Sequence, residues 1–450
     1  MMAAAGSHHI TTRRGRPSHD ESDDTVLSVQ EISDDAPLVW KVPQFQDEGV
    51  ATSAPSKAGK EDSTKQGAGL AKILFLDGVR GIAAILVVTQ HSGYMGDVNL
   101  GICAVDIFFV LSSFLLTMLF YKKSLQLLTQ KASLRKWGYT LADYFSKRFL
   151  RVYPLFALVA ILLWILPYEY KKQYFLVSKP DHYDIIKVLT FEFPYRYHVF
   201  WTLPLEITYY FMIPVFVVTT IALGRGWWIP FIPLYIWIVN NGLNVFRGDH
   251  QPLAPHLPTF VSGSLAAVIF IKLDDAIKRN SFEFSKWQTV TIRAVEMLIF
   301  CLLMSVCYRS LLFHWVHENP AHENNGARFI SLHVTSLFVI EMITPSVLST
   351  VLEWIVFRYW GKIGFSVYLL HSFVIYTNPV RHQGNYYDKL FGQFILIFML
   401  STMSYHLIEY PSQLLAQRIT EALAQRERST AVPVVKYMPV PKAHDLATAA

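Results

Sequence analysis

Charged residues are scarce in this chain. Asp, Glu, Lys and Arg make up 16% of its 450 residues, whereas 52% are hydrophobic; an ordinary soluble domain carries about 25% charged residues. The deficit recurs in blocks of about 20 residues, the length that crosses the hydrocarbon core of a bilayer. That pattern excludes an ordinary water-soluble globule. Cysteine is scarcer still. Cys103, Cys301 and Cys307 are too few for a disulfide framework, and the last two sit in an apolar block where a free thiol acts as a small hydrophobe. No CxxC or HExxH spacing is present, so no metal site is expected. The first 70 residues hold no apolar run of signal-peptide length, which leaves membrane targeting to the first span. An internal repeat, found in many secondary transporters, is also missing.

What is present is a series of apolar blocks framed by basic loops. Ten spans are expected, at 73–90, 103–121, 150–166, 207–223, 227–245, 257–271, 290–307, 329–348, 363–376 and 390–408. The fold class is therefore all-α, a polytopic membrane protein with about ten transmembrane helices. The segment 185–200 is apolar and aromatic but broken by Lys187, Glu192, Pro194 and Arg196, which suggests a re-entrant or interfacial helix. Residues 1–70 have too little apolar surface to offset ordering entropy and read as a disordered tail. The domain follows at 71–412, and 413–450 reads as a short helix and a second disordered tail. The formal net charge of +6 does not point to nucleic acid, because the basic residues cluster in loops. The connection 122–149 holds Lys122, Lys123, Lys131, Arg135, Lys136, Lys147 and Arg148, whereas 91–102 holds no Lys or Arg. This asymmetry sets both termini on the cytoplasmic side. The loop 167–205, with five basic residues on the outer side, runs against the trend.

Ionisable residues inside apolar spans are costly in lipid, and they mark the candidate site. Arg80 and His91 are eleven residues apart, three helical turns plus about 20°, so they share one face about 16 Å apart along the axis. They can line a polar channel, or snorkel to opposite interfaces. Asp106 lies one turn inside the second span, level with His91. It can hold an imidazole in the tautomer a general base needs, or favour a helix dipole. Arg148 and Arg151 lie at i and i+3 at the cytoplasmic end of the third span, suited to gripping phosphate or to anchoring. Glu206 opens the fourth span. His371 is deep in an otherwise apolar helix and shares a face with Tyr368.

These blocks resemble the acyltransferase-3 family of integral membrane O-acyltransferases. A DG-x-RG-x-A opening with a histidine eleven residues after the arginine is matched by Asp77, Gly78, Arg80, Gly81, Ala83 and His91. The family's second-helix pattern is matched over 105–114, with Ser113 where glycine is usual. Arg148, Arg151 and Pro154 match its R-x-x-R start of the third helix. Further on, 201–206 matches the W-S-L-x-x-E block with Thr202 for Ser. Ser366, Tyr368, Leu369 and His371 match a later helix loosely, and 408–411 the I-E-x-P ending. The matches run in order over some three quarters of the chain.

The resemblance implies transfer of an acyl group, commonly acetyl, from acyl-CoA to a hydroxyl of a small-molecule or glycan acceptor. The composition of the tails resembles a fungal-type member, for which secondary metabolism and an endoplasmic reticulum or other endomembrane location are expected. Acyl-CoA is then a donor substrate and no cofactor is bound. His91 is expected to be the base, oriented by Asp106 or Glu206, with His371 as the rival base. Arg80, Arg148 and Arg151 are expected to hold the donor. The competing reading is a proton-coupled transporter, since buried His, Arg, Asp and Glu also serve proton relays.

Overall fold

A computed structural model describes residues 58–94, 98, 100–179, 182–245, 247, 250–308, 311–313 and 330–430. The described residues belong to one compact unit within Val50–Ala450, and among them no strand occurs. Six segments are long and apolar enough to cross a membrane: Leu74–His91, Leu100–Thr129, Leu134–Ile165, His198–Ala222, Lys286–Cys307 and Tyr386–Ser429. Shorter apolar helices occupy Ile330–Ile343 and Gly364–Ile375. Nine of the ten expected spans fall on a continuous helical run, and the expected span 329–348 is broken between Ile343 and Val347. The protein is an all-α polytopic membrane protein.

Helix α1 (Ala58–His91) begins inside the stretch 1–70. Residues 1–57 lie outside the described ones. Helix α2 (Leu100–Thr129) is apolar on nearly every side, as a helix buried all round should be. It packs against α1, α6 (Thr202–Ala222) and α8 (Leu253–Arg279). Between α6 and α8 runs α7 (Trp228–Asn244). Helix α3 (Leu134–Ile165) starts at Ser133, whose hydroxyl accepts from the Lys136 amide, and continues through Pro154. Helix α9 (Lys286–Cys307) carries the capping box Ser285/Gln288. Then come α10 (Ile330–Ile343), α11 (Val347–Leu352), α12 (Ile355–Lys362) and α13 (Gly364–Ile375). The twelve residues of α13 rise only about 18 Å, short of a bilayer core of about 30 Å. Helix α14 (Asn378–Arg381) is a single turn, and α15 (Tyr386–Ser404) passes through a π-turn, Tyr405–Glu409, into α16 (Tyr410–Thr430). Helix α16 lies along α3, joined by Lys136–Glu427 at 3.4 Å and by Thr420 donating to Asp143. Residues 431–450 of the second tail lie outside the described ones.

Glycine sets two close crossings. A Cβ on Gly78 would lie 1.8 Å from the Leu352 carbonyl oxygen, one on Gly81 2.0 Å from that of Phe357, and one on Gly361 1.9 Å from that of Asp77. Helix α1 therefore meets α11 and α12 backbone to backbone, the small-residue packing that membrane helices favour. The second crossing explains a departure from the family pattern. Ser113 stands where glycine is usual, and Gly263 of α8 faces it: a Cβ there would lie 2.1 Å from the Ser113 Oγ. The small residue has moved to the partner helix. Ser113 donates to the Phe109 and Val110 carbonyls at 2.8 and 3.0 Å, so its hydroxyl is satisfied in lipid-depth surroundings.

The segment between α3 and α6 is not a membrane-length helix. It folds into α4 (Tyr168–Phe175), the five-residue α5 (Ile185–Leu189) capped by Asp184, and two 3-10 turns, Phe193–Tyr195 and His198–Trp201. Pro194 and the left-handed backbone of Phe191 (φ 60°) end α5 early. Tyr183 donates to the Ala160 carbonyl at 2.8 Å and Tyr153 to that of Leu189 at 3.3 Å, which docks the segment on α3. Burial pushes the Tyr197 phenol up to about 12, so it stays protonated and donates to the His182 carbonyl.

Candidate active site

His91 is the last residue of α1, His371 lies on α13, and His198 sits in the 3-10 turn before α6. Their rings converge. Centroids are 4.9 Å apart for His91–His371, 5.0 Å for His91–His198 and 5.8 Å for His198–His371. One nitrogen from each ring lies within 4.8 Å of the other two. His371 is fully buried, and its Nδ1 is 2.9 Å from the Tyr368 carbonyl and 3.2 Å from that of Val367. Carbonyls only accept, so Nδ1 carries the hydrogen and Nε2 the lone pair. His198 has φ 41°, a left-handed backbone that costs a non-glycine residue about 1–3 kcal/mol where it is held in place. Tyr368 provides the hold: its hydroxyl donates to the Val199 carbonyl at 3.2 Å and accepts from Thr202 at 2.9 Å. Tyr376 places its hydroxyl 3.4 Å from His91 Nδ1. Phe175 of α4 packs edge-on against His198, with ring centroids 5.8 Å apart.

Deeper along α1, Arg80 donates to Asp77 at 2.8 Å. Arg148 and Arg151 project from one face of α3 toward it. Arg151 is in electrostatic range of Arg80, Arg148, Asp77 and Glu409. The Arg148 Nε is buried without a hydrogen-bond partner among the described residues. Glu206 accepts from Ser112 at 2.5 Å and from Tyr210 at 2.6 Å, and lies in electrostatic range of Arg80 and Arg148. Glu409, aimed inward by the π-turn, accepts from Ser366. Such single-turn π-bulges recur at functional sites. The result is a half-buried column of guanidinium and carboxylate groups beneath the three imidazoles. It can hold a polar, anionic ligand whose far end reaches the histidines.

Both carboxylates expected to orient His91 are committed elsewhere. Asp106, almost fully buried, is engaged by Arg247, which also donates to Thr259. Arg247 comes from the α7–α8 connection, and an opposite charge brought to Asp106 in low dielectric holds it there. Glu206 faces the arginine column and its hydroxyl donors. The structure thus brings His91 together with His371, and Arg80 with Arg148, Arg151 and Glu206, but sets Asp106 apart. The sequence reading passed over His198 and Glu409. Each had a signal: His198 lies three residues before the Trp201 block, and Glu409 is the acidic residue of the I-E-x-P ending.

Residues 73–404 match the family model described as an acyltransferase domain, acyltransferase family 3. The chain belongs to the acyltransferase-3 family. It is 24% identical over 365 residues to YrhL of Bacillus subtilis (strain 168), which is named as a peptidoglycan O-acetyltransferase. That alignment covers 75% of this chain and 54% of the relative, so the chain spans about half the length of the curated relative it matches. No solved structure matches it. As an acyltransferase-3 domain, the chain is an acyltransferase of groups other than aminoacyl. Of the family's motif residues, His91 and His371 lie in the imidazole cluster, Arg80, Arg148, Arg151, Glu206 and Glu409 in the column, and Asp106 apart with Arg247.

Proposed function

We propose that the chain is a membrane O-acyltransferase that moves an acyl group, commonly acetyl, from acyl-CoA to a hydroxyl of a small-molecule or glycan acceptor. The observation that supports this reading is the placement of three converging imidazoles, two of them family motif residues, above a half-buried column of the motif arginines. A hydroxyl acceptor also fits the name of the bacterial relative. Acyl-CoA enters from the cytoplasmic side, where the basic loop 122–149 and both termini lie, in an endomembrane such as the endoplasmic reticulum. Arg148 and Arg151 hold its anionic portion by charge-assisted bonds. Arg80 stabilises charge that develops on the thioester carbonyl oxygen. His91, half-buried and so within reach of an acceptor, removes the hydroxyl proton. The oxygen bonds to the thioester carbon, the C–S bond breaks, and the thiolate takes the proton from His91. No redox change occurs and no bound cofactor is required by this sequence of steps.

The test is purified protein in detergent with acetyl-CoA and a panel of hydroxylated acceptors, read by mass spectrometry of the products. Acetylated product should form, and His91→Ala should lower kcat by about 10²–10⁴-fold, the usual contribution of a general base, with acyl-CoA affinity retained. Full turnover by a folded His91→Ala protein would refute the assignment.

A further inference from the structure

When His91 becomes an imidazolium both ring nitrogens carry hydrogen; Nδ1 has the Tyr376 hydroxyl 3.4 Å away, and a further acceptor would stabilise the charge. In the familiar arrangement a carboxylate supplies one, but Asp106 is held by Arg247 and Glu206 faces the arginines. We propose that His91, His198 and His371 form a cradle for a single water molecule, through which the His91 imidazolium passes its second N–H to the lone pair of His371. The proposal rests on the acyl-transfer reading and names what supports its base.

Three observations carry it. The first is size. Ring nitrogens that all lie within 4.8 Å of one another share a common point no more than about 2.8 Å from each, within hydrogen-bond reach of one oxygen. The second is the fixed tautomer of His371. Its Nδ1–H is spent on two backbone carbonyls, and its Nε2 is buried with no hydrogen-bond partner among the described residues. A lone pair in that state is an acceptor awaiting a donor, and leaving it unmade costs about 1–3 kcal/mol. The third is His198, whose Nε2 is also buried without a partner among the described residues, in a turn held in a left-handed conformation. A buried water satisfies two to four polar groups. Here it accepts from His91, donates to His371 Nε2, and has His198 as its third partner.

During transfer the acceptor O–H bond breaks and its proton joins His91, then leaves with the thiolate. His371 gains no proton. It is a positioning residue that stabilises the charged intermediate state of His91 through the water.

Two substitutions separate this role from packing. His371→Asn keeps an amide N–H near Nδ1 for the Val367 and Tyr368 carbonyls and deletes the Nε2 acceptor. His371→Gln places an amide oxygen near the Nε2 position. With purified protein and acetyl-CoA, kcat, KM for acetyl-CoA, the thermal midpoint and bound metal are measured together. His371→Asn should lose about 10- to 100-fold in kcat, the worth of one hydrogen bond to a charged group, with KM and midpoint unchanged, and His371→Gln should recover part of the loss. A wild-type kcat in His371→Asn overturns the proposal. So do equal losses in both variants with a lowered midpoint, or stoichiometric metal in the wild-type protein. His91→Ala in the same assay keeps the claims apart. If it is inactive while His371→Asn is normal, the cradle alone fails; if it is fully active, the base assignment fails with it.

Discussion

Gly361→Ala puts the close crossing of α1 and α12 to the test. A Cβ at position 361 would sit 1.9 Å from the Asp77 carbonyl oxygen and 3.2 Å from the Gly81 nitrogen. The contacts are backbone atoms, so no side chain can swing aside. Relief to an ordinary carbon–oxygen contact requires the two helices to part by about 1 Å or more, an overpacking that costs about 1–3 kcal/mol. The consequence extends beyond stability. Asp77 and Arg80 belong to the same turns of α1, and Gly364, just past the crossing, would bring a Cβ within 3.6 Å of the Arg80 side chain. Helix α13, which carries His371, continues from α12. Separation at Gly361 therefore shifts Arg80 and His91 relative to His371, and a misplacement of about 1 Å can cost on the order of 100-fold in rate. The assay is acetyl transfer by detergent-purified protein alongside a thermal melt. Gly361→Ala should lower the midpoint by several degrees and kcat by about 10–100-fold. Gly392→Ala is the control: it lies within α15 with nothing within 4 Å of its Cβ position, and alanine is favoured over glycine in a helix by about 1 kcal/mol. It should melt at or slightly above the wild-type temperature. A Gly361→Ala protein with wild-type midpoint and rate would show that the crossing is not close-packed and would refute the reasoning.

Two further outcomes are expected. Replacing Arg148 and Arg151 together by Ala should raise the KM for acyl-CoA by about 10-fold or more through loss of charge-assisted bonds, and an unchanged KM in a well-folded double variant would assign the pair to anchoring. Arg247→Met should destabilise the protein by about 3–5 kcal/mol, because it leaves Asp106 charged, buried and unpaired. Adding Asp106→Asn should recover part of that loss, and equal melting of the single and double variants would show that the pair does not act as a unit.

Much of the fold was legible because apolar block length and loop charge are local quantities. The shared face of Arg80 and His91 followed from helical geometry alone, and the family motifs picked out both ends of the site. The misses have a common physical origin: they depend on partners far away in the chain. Asp106 is level with His91 along the helix axis, but nothing in the α2 sequence announces that Arg247, 141 residues later, will claim its carboxylate. His198 lies in a loop, where periodicity is silent, and its ring is placed by a left-handed residue conformation and by Tyr368 from another helix. Glu409 points inward only because a π-turn rotates the end of α15.

Helix α4 is fastened to the same short segment that supports the base. Gln173 of α4 donates to the Tyr376 carbonyl at 2.5 Å and to the Asn378 side chain at 3.3 Å, and Tyr174 meets Thr377, while the hydroxyl of Tyr376 faces His91. The backbone and hydroxyl of one tyrosine thus tie α4 to the imidazole cluster. A displacement of α4 would carry Tyr376 with it and change the surroundings of His91, so the loop before α6 and the end of α1 are coupled through a single residue.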